Sequence, residues 1–204
     1  MLDYLSGAVR ISVVTFLHCG FAYPLAVTGI AQLVMPYQAN GSMEASADGR
    51  IIGSKLIGQD WRDAKWFHGR PSATIAPDPQ DPTKTISAPY NAANTTASNL
   101  GPTSKALADR LAADRKALDE AHPELAGKPL PADMLTASAS GLDPDITPAN
   151  ALLQVARVAK ARGVPAEQVA ALVEQHVRRR SLLIFGEARA NVLELNLALE
   201  RQFP

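Results

Sequence analysis

Cysteine is almost absent from this chain. One thiol, Cys19, occurs in 204 residues, so no intrachain disulfide can form and folding must rest on packing and hydrogen bonds. Aromatic residues make up only 5%, which leaves little material for stacking on bases or sugars. An excess of either charge is missing too: 20 Lys and Arg face 20 Asp and Glu. Without a basic footprint, no nucleic-acid partner is expected. The four histidines, His18, His68, His122 and His176, are scattered and lack a Cys, His or carboxylate at ligand spacing. No metal site is therefore expected. No G-x-S-x-G elbow occurs either, and nothing in the pattern nominates a catalytic residue. Gly53 and Gly58 stand at phosphate-loop spacing, but Gln59 replaces the required Lys and Asp60 the Ser or Thr. A carboxylate there repels phosphate, so the pair reads as turn glycines and no cofactor is assigned to this chain.

What the chain does have is one long apolar run. Residues 9–35, VRISVVTFLHCGFAYPLAVTGIAQLVM, contain no Asp, Glu or Lys, and their single charge is Arg10. About 25 helical residues reach far enough to cross a hydrocarbon core with some tilt. In lipid the backbone must satisfy its own hydrogen bonds, which makes a lone segment of this kind a helix. Pro24 removes one of those bonds and predicts a kink. A cleaved signal peptide would be shorter, with a better small-residue cleavage site than Ala39-Asn40-Gly41. A buried core helix would show a polar face somewhere along its length. Arg10 precedes the run, and the next basic residues are Arg50 and Lys55. This bias predicts a cytoplasmic N-terminus and an exterior C-terminal body.

Residues 36–49 are small and polar and read as a linker, and 50–204 read as one domain large enough to bury a core. The fold class expected is α+β: a single transmembrane helix followed by one extracytoplasmic mixed domain. The glycine-studded segment 49–59 predicts one or two short strands. Trp61, Trp66 and Phe67 are expected in or over the core. From 75 to 101 the chain, with Pro77, Pro79, Pro82 and Pro89, reads as one long loop and a candidate contact surface.

Helices are predicted from Thr103 as N-cap to His122-Pro123, from Thr147-Pro148 to Gly163, and from Pro165 onward with Val169, Leu172, Val173 and Val177 on one face. A short helical turn is expected within 131–135. Residues 136–145, rich in Ser, Thr and Asp, read as an Asx/Ser turn network. Arg178-Arg179-Arg180 reads as a solvated face. Residues 181–185 read as a strand or a continuing helix. In 191–199 the leucines alternate as in a strand, but Asn191 with Glu194 forms a capping box, which favours a helix.

Several motifs are long and specific: GSKLIGQ (53–59), FHGRPSAT (67–74), PYNAA (89–93), SNLGPTS (98–104), LTASASGLDPDITPANALLQVARVAKARG (135–163) and GEARANVLELNLALE (186–200). Together with the apolar run, these stretches resemble, in order and over nearly the whole chain, the C chain of the Kdp-type potassium-transporting P-type ATPase. The sequence Gly186-Glu187-Ala188-Arg189-Ala190-Asn191 departs slightly from the Gly-Glu-Pro-Arg-Val-Asn expected of that family. The resemblance implies a non-catalytic inner-membrane accessory subunit in contact with membrane lipid. Its implied partners are a channel-like potassium-translocating subunit, an ATP-hydrolysing P-type subunit and a small single-span subunit. It also implies a catalytic chaperone that raises ATP binding by the hydrolysing subunit, with ATP reached only through that partner. Polar motif residues without an evident structural role are the candidate interface: Gln59, Arg70, Asn91, Asn99, Asp143 and Arg157. Gly53, Gly58, Gly69, Pro71, Gly101 and Gly141 are expected to shape turns. The alternative from the residues alone is a membrane-anchored exported assembly factor or binding module outside any pump.

Overall fold

The computed structural model describes residues 2–46 and 48–203. They divide into two compact units, 1–54 and 55–204.

The first unit opens with α1 (Leu2–Leu17), a π-helical turn (His18–Ala22) and α2 (Tyr23–Val34). Continuous helix over Tyr4–Val34, 31 residues, is long and apolar enough to cross a membrane, at about 1.5 Å per residue. Its side chains find no burial within the protein. The predicted disturbance at Pro24 takes the form of the π-turn. Pro24 lacks an N–H, and the turn before it widens so that the Tyr23 amide donates to His18 O, five residues back.

The stretch 36–49, expected as a featureless linker, carries structure. It contains α3 (Pro36–Ala39) and β1 (Met43–Ala45), which pairs antiparallel with β2 (Ile51–Ser54). The hairpin straddles the boundary expected at residue 50, and the compact unit ends after Ser54.

In the second unit the long loop expected over 75–101 is interrupted by an antiparallel hairpin, β3 (Ile75–Pro77) with β4 (Thr85–Ser87). Ser104 rather than Thr103 occupies the N-cap position of helix α4 (Lys105–Ala121), without a side-chain capping bond, and Arg115–Asp119 and Lys116–Glu120 pair along it at 2.9 and 3.9 Å. Short 3-10 turns follow at Pro123–Leu125 and Ala132–Met134. Then come β5 (Asp145–Ile146), α5 (Pro148–Arg162), α6 (Ala166–His176), β6 (Val177–Arg178), β7 (Arg189–Asn191) and α7 (Val192–Gln202). Thr147 Oγ1 accepts from Asn150 N, and Gly163 closes α5 at φ 67°, both as the sequence predicts. Asn191 caps α7 by accepting from Glu194 N, which settles the ambiguous 191–199 segment as helix.

The strands form a small antiparallel sheet in the order β5-β7-β6. The core lies where α5, α6 and α7 meet this sheet: Ile146, Val158, Val169, Val173, Ala190, Leu195 and Leu199 are 2% exposed or less. Phe67 joins them at 0%, and Trp61 and Trp66 pack against the cluster. Arg162 lies 4.5 Å over the Trp66 ring. Residues 181–185 are neither strand nor helix. They form a tight turn closed by a bridge between Ser181 and Phe185, with Leu182 and Leu183 at positive φ.

Candidate functional site

The motif segments, far apart in sequence, meet in one knot of loops beside the helical core. Tyr90 is its hub. Its hydroxyl donates to Arg70 O at 2.7 Å, its amide donates to Ser72 Oγ at 3.0 Å, and it holds φ 58°. Burial, with Asp143 and Asp60 nearby, pushes its phenol well above the ordinary range. Ser72 Oγ donates onward to Gly141 O at 2.7 Å, and Thr74 Oγ1 donates to Ala88 O at 2.5 Å. Gly58 N donates to Leu142 O at 2.8 Å, and Thr96 N to Ser140 O at 3.1 Å.

Three predicted turn glycines are required by this crowding. A Cβ on Gly58 would lie 2.5 Å from the Tyr90 ring and 2.6 Å from Asp143 O, and one on Gly69 would strike the Tyr90 hydroxyl. Gly141, at φ 71°, would meet Thr74 at 2.5 Å and Thr96 O at 2.8 Å. The Ser and Asp side chains of 136–145 make the expected turn network. Gly141 N donates to Ser138 Oγ, Leu142 N to Ser140 Oγ, and Asp145 N to Asp143 Oδ1.

Four of the six nominated residues have internal structural roles that the sequence does not reveal. Arg70 pairs with Asp143 at 2.9 Å and also reaches Thr136 and Ala137 carbonyls. Asn91 donates to Ile75 O at 2.8 Å and accepts from Ala93 N, holding the base of the β3–β4 hairpin. Arg157, on α5, donates to Ala64 O and Trp66 O at 2.6 and 2.9 Å, and to Gln154 Oε1. Burial lowers its guanidinium to about 10. Gln59 is half-buried beside Gly58, whereas Asn99 is exposed at φ 52°. Arg70 and Asp143 are thus brought together. Arg157 belongs to a different network on α5.

That second network rests on residues sequence reasoning passed over. Asn196 of α7 and Gln154 of α5 clasp the extended segment at Phe67 and His68. Phe67 N donates to Asn196 Oδ1 at 2.8 Å, and Asn196 Nδ2 donates to Phe67 O at 3.0 Å. His68 N donates to Gln154 Oε1, and Gln154 Nε2 donates to His68 O. Each amide pairs both backbone groups of one residue, as a neighbouring strand would. Gln154 also donates to Asn150, whose Nδ2 donates to the buried Asp133. The available signal was an amide set inside an otherwise apolar helical face. Burial and the nearby Arg157 charge hold His68 below its ordinary range.

A cleft of about 470 Å³ opens beside the knot, lined by Asp60, Trp61, Arg62, His68, Arg70 and Tyr90 among others. Among the described residues no group of three His, Cys, Asp or Glu side chains converges. The arrangement offers positioning and contact surfaces.

The family described as K+-transporting ATPase, c chain, matches residues 5–201. The chain is 57% identical over 201 residues to the potassium-transporting ATPase KdpC subunit of Bradyrhizobium diazoefficiens, covering 98% of each. The same-named subunit of Rhodopseudomonas palustris strain CGA009 is 57% identical over 185 residues, 91% of this chain and 90% of the relative. That of Methylobacterium nodulans is 52% identical over 200 residues, 98% of each.

Proposed function

Because this chain belongs to the c-chain family of K+-transporting ATPases, we propose that it is a non-catalytic accessory subunit of an ATP-driven potassium uptake complex. The observation carrying this reading is that the likeness runs unbroken over residues 5–201, span and domain alike. In this reading α1–α2 anchors the chain once in the inner membrane. The single Arg10 before the run, with no basic residue after it until Arg50, supports a domain outside the cytoplasm.

The domain then caps the outer mouth of a channel-like potassium-translocating subunit and steadies its assembly with an ATP-hydrolysing subunit and a small single-span subunit. Influence on ATP binding is indirect. ATP lies on the opposite side, and Gln59 and Asp60 stand where a phosphate loop needs Lys and Ser or Thr. The exposed Asn99 is the nominee best placed for contact, since Arg70, Asn91, Asp143 and Arg157 already hold the fold.

Purification by a tag on the full chain should recover the other ATPase subunits in fixed stoichiometry. Recovery of the chain alone from cells expressing all of them would refute the subunit reading. Crosslinkers placed at Asn99 should reach exterior loops of the potassium-translocating subunit. Capture of cytoplasmic partners only would refute the cap.

A further inference from the structure

We propose that the turn 181–185 is a lipid-inserting wedge that dips into the bilayer interface. Ser181-Leu182-Leu183-Ile184-Phe185 is the apex of the excursion between β6 and β7. Leu182 is 82% exposed, Leu183 84%, Ile184 68% and Phe185 61%. Among the described residues 55–203, the only other large apolar side chain exposed to that degree is Leu56. The domain presents four consecutive, strongly exposed apolar side chains at one point.

The backbone of this turn is prepared to leave water. Ser181 N donates to Phe185 O and Phe185 N to Ser181 O, both at 2.9 Å, while Leu183 N donates to Arg180 O and Ile184 N to Ser181 O at 3.3 Å. An apolar medium punishes unsatisfied amides, and four of the five amides of 181–185 find local acceptors. The conformation points the same way. Leu182 and Leu183 occupy φ 51° and 69°, a region where glycine or asparagine is preferred in a solvated turn. Leucine there combines backbone strain with exposure to water, a combination that an apolar surrounding relieves in part.

The collar selects lipid. Arg178, Arg179 and Arg180 lead into the turn and Arg189 leaves it, against the single Glu187. Glu187 pairs with Arg180, and Arg178 is held by Glu194. Among the described residues Arg179 has no carboxylate partner, and it is exposed. Arginine around an apolar tip is the arrangement of an interfacial anchor, with guanidinium groups at headgroup phosphates and the tip among the acyl chains. The tip is a convex knob made of one tight turn, so it offers no flat face or groove to a protein surface. A bilayer needs no matching pocket.

The proposal rests on the reading of α1–α2 as a membrane anchor, and the test separates the two. The full chain is reconstituted in vesicles of phosphatidylcholine with phosphatidylglycerol and carries one nitroxide label at a time. The label sits at native Cys19, or, in a Cys19→Ser background, at Leu183→Cys or Lys128→Cys. Oxygen and a water-soluble nickel chelate compete as relaxing agents. At position 183 oxygen should dominate as it does at Cys19, several-fold over the ratio at exposed position 128. Removing phosphatidylglycerol should lower that preference, as should an Arg179→Gln change.

A water-like ratio at Cys19 would refute the anchor. A lipid-like Cys19 with a water-like position 183 would refute the wedge alone. Shielding of 183 from both agents only in the assembled complex would assign the turn to a protein partner and overturn the proposal. An Ile184→Cys label repeats the reading in case the change at Leu183 disturbs the turn.

Discussion

At Gly69 a single hydrogen atom decides whether the loop knot closes. The three atoms nearest to a methyl group there all belong to Tyr90, whereas one at Gly58 also meets the backbone carbonyl of Asp143. The two glycines should therefore respond differently to relief. Gly69→Ala should destabilise the chain by about 2 kcal/mol, and adding Tyr90→Phe should recover part of that loss by removing the hydroxyl. A coupling of about 1 kcal/mol in denaturant unfolding would be the signature. Gly58→Ala should cost about 3 kcal/mol and gain nothing from Tyr90→Phe, because a carbonyl cannot be trimmed.

Asn196 poses a second residue-scale question. It is 0% exposed and satisfies both backbone groups of Phe67. Asn196→Leu keeps the branched outline of the side chain and strands an N–H and a C=O in the core, so a loss of about 2–4 kcal/mol is expected in the same measurement. By contrast, Gly163→Ala, at φ 67° in open space, should cost only about 1 kcal/mol, the strain of a left-handed alanine.

Among the elements, α4 differs from the other helices of its unit. None of its described residues is fully buried; Leu107, Leu111 and Leu118 are half-covered. Arg115 ties it to its surroundings by donating to Lys128 O and Leu125 O. Helices α5, α6 and α7 each bury residues at 4% exposure or less. Amide exchange should therefore be markedly faster along 105–121 than along α5 and α7, since local opening there uncovers little apolar surface. Uniform protection across all four helices would contradict this.

Element ends set by local chemistry were legible. Thr147 with Pro148, Gly163, and Asn191 with Glu194 name their helix boundaries within four residues. Residues 181–185 were not legible, because a short apolar run has no period that separates a buried strand from an exposed turn. The 75–101 hairpin was hidden by its prolines, which suit an edge strand such as Ile75–Pro77 as well as a loop.

For the molecule as a whole, the site was harder to read than the fold. Arg70 meets Asp143 across 73 residues, and no local pattern announces such a pair. Its residues stood out by motif, while their structural duty was invisible. The amide clasps were missed for the same reason.

Stability should also depend on pH through His68. Burial, then Arg157, lowers its folded pKa below the ordinary 6.5, so the unfolded chain takes up that proton first. Its contribution is full above about 6.5 and shrinks as pH falls from there toward the lowered native value. Asp145, raised from 3.8 by burial, acts in the opposite sense, favouring the fold at low pH and losing that contribution as pH rises past its ordinary value. The melting temperature of the full chain should fall between pH of about 7.5 and 5.5, and His68→Gln should flatten that slope. An unchanged slope would assign the effect to other groups.

The clasp on Phe67 spans 129 residues, and its closing half sits in α7, far downstream of the segment it holds. The opening segment of the domain must wait, unsealed, until that helix emerges. Nascent chains cut short before Asn196 would keep a loose Phe67 and an open seam, easy prey for proteases. Only chains that extend past Asn196 acquire the latch.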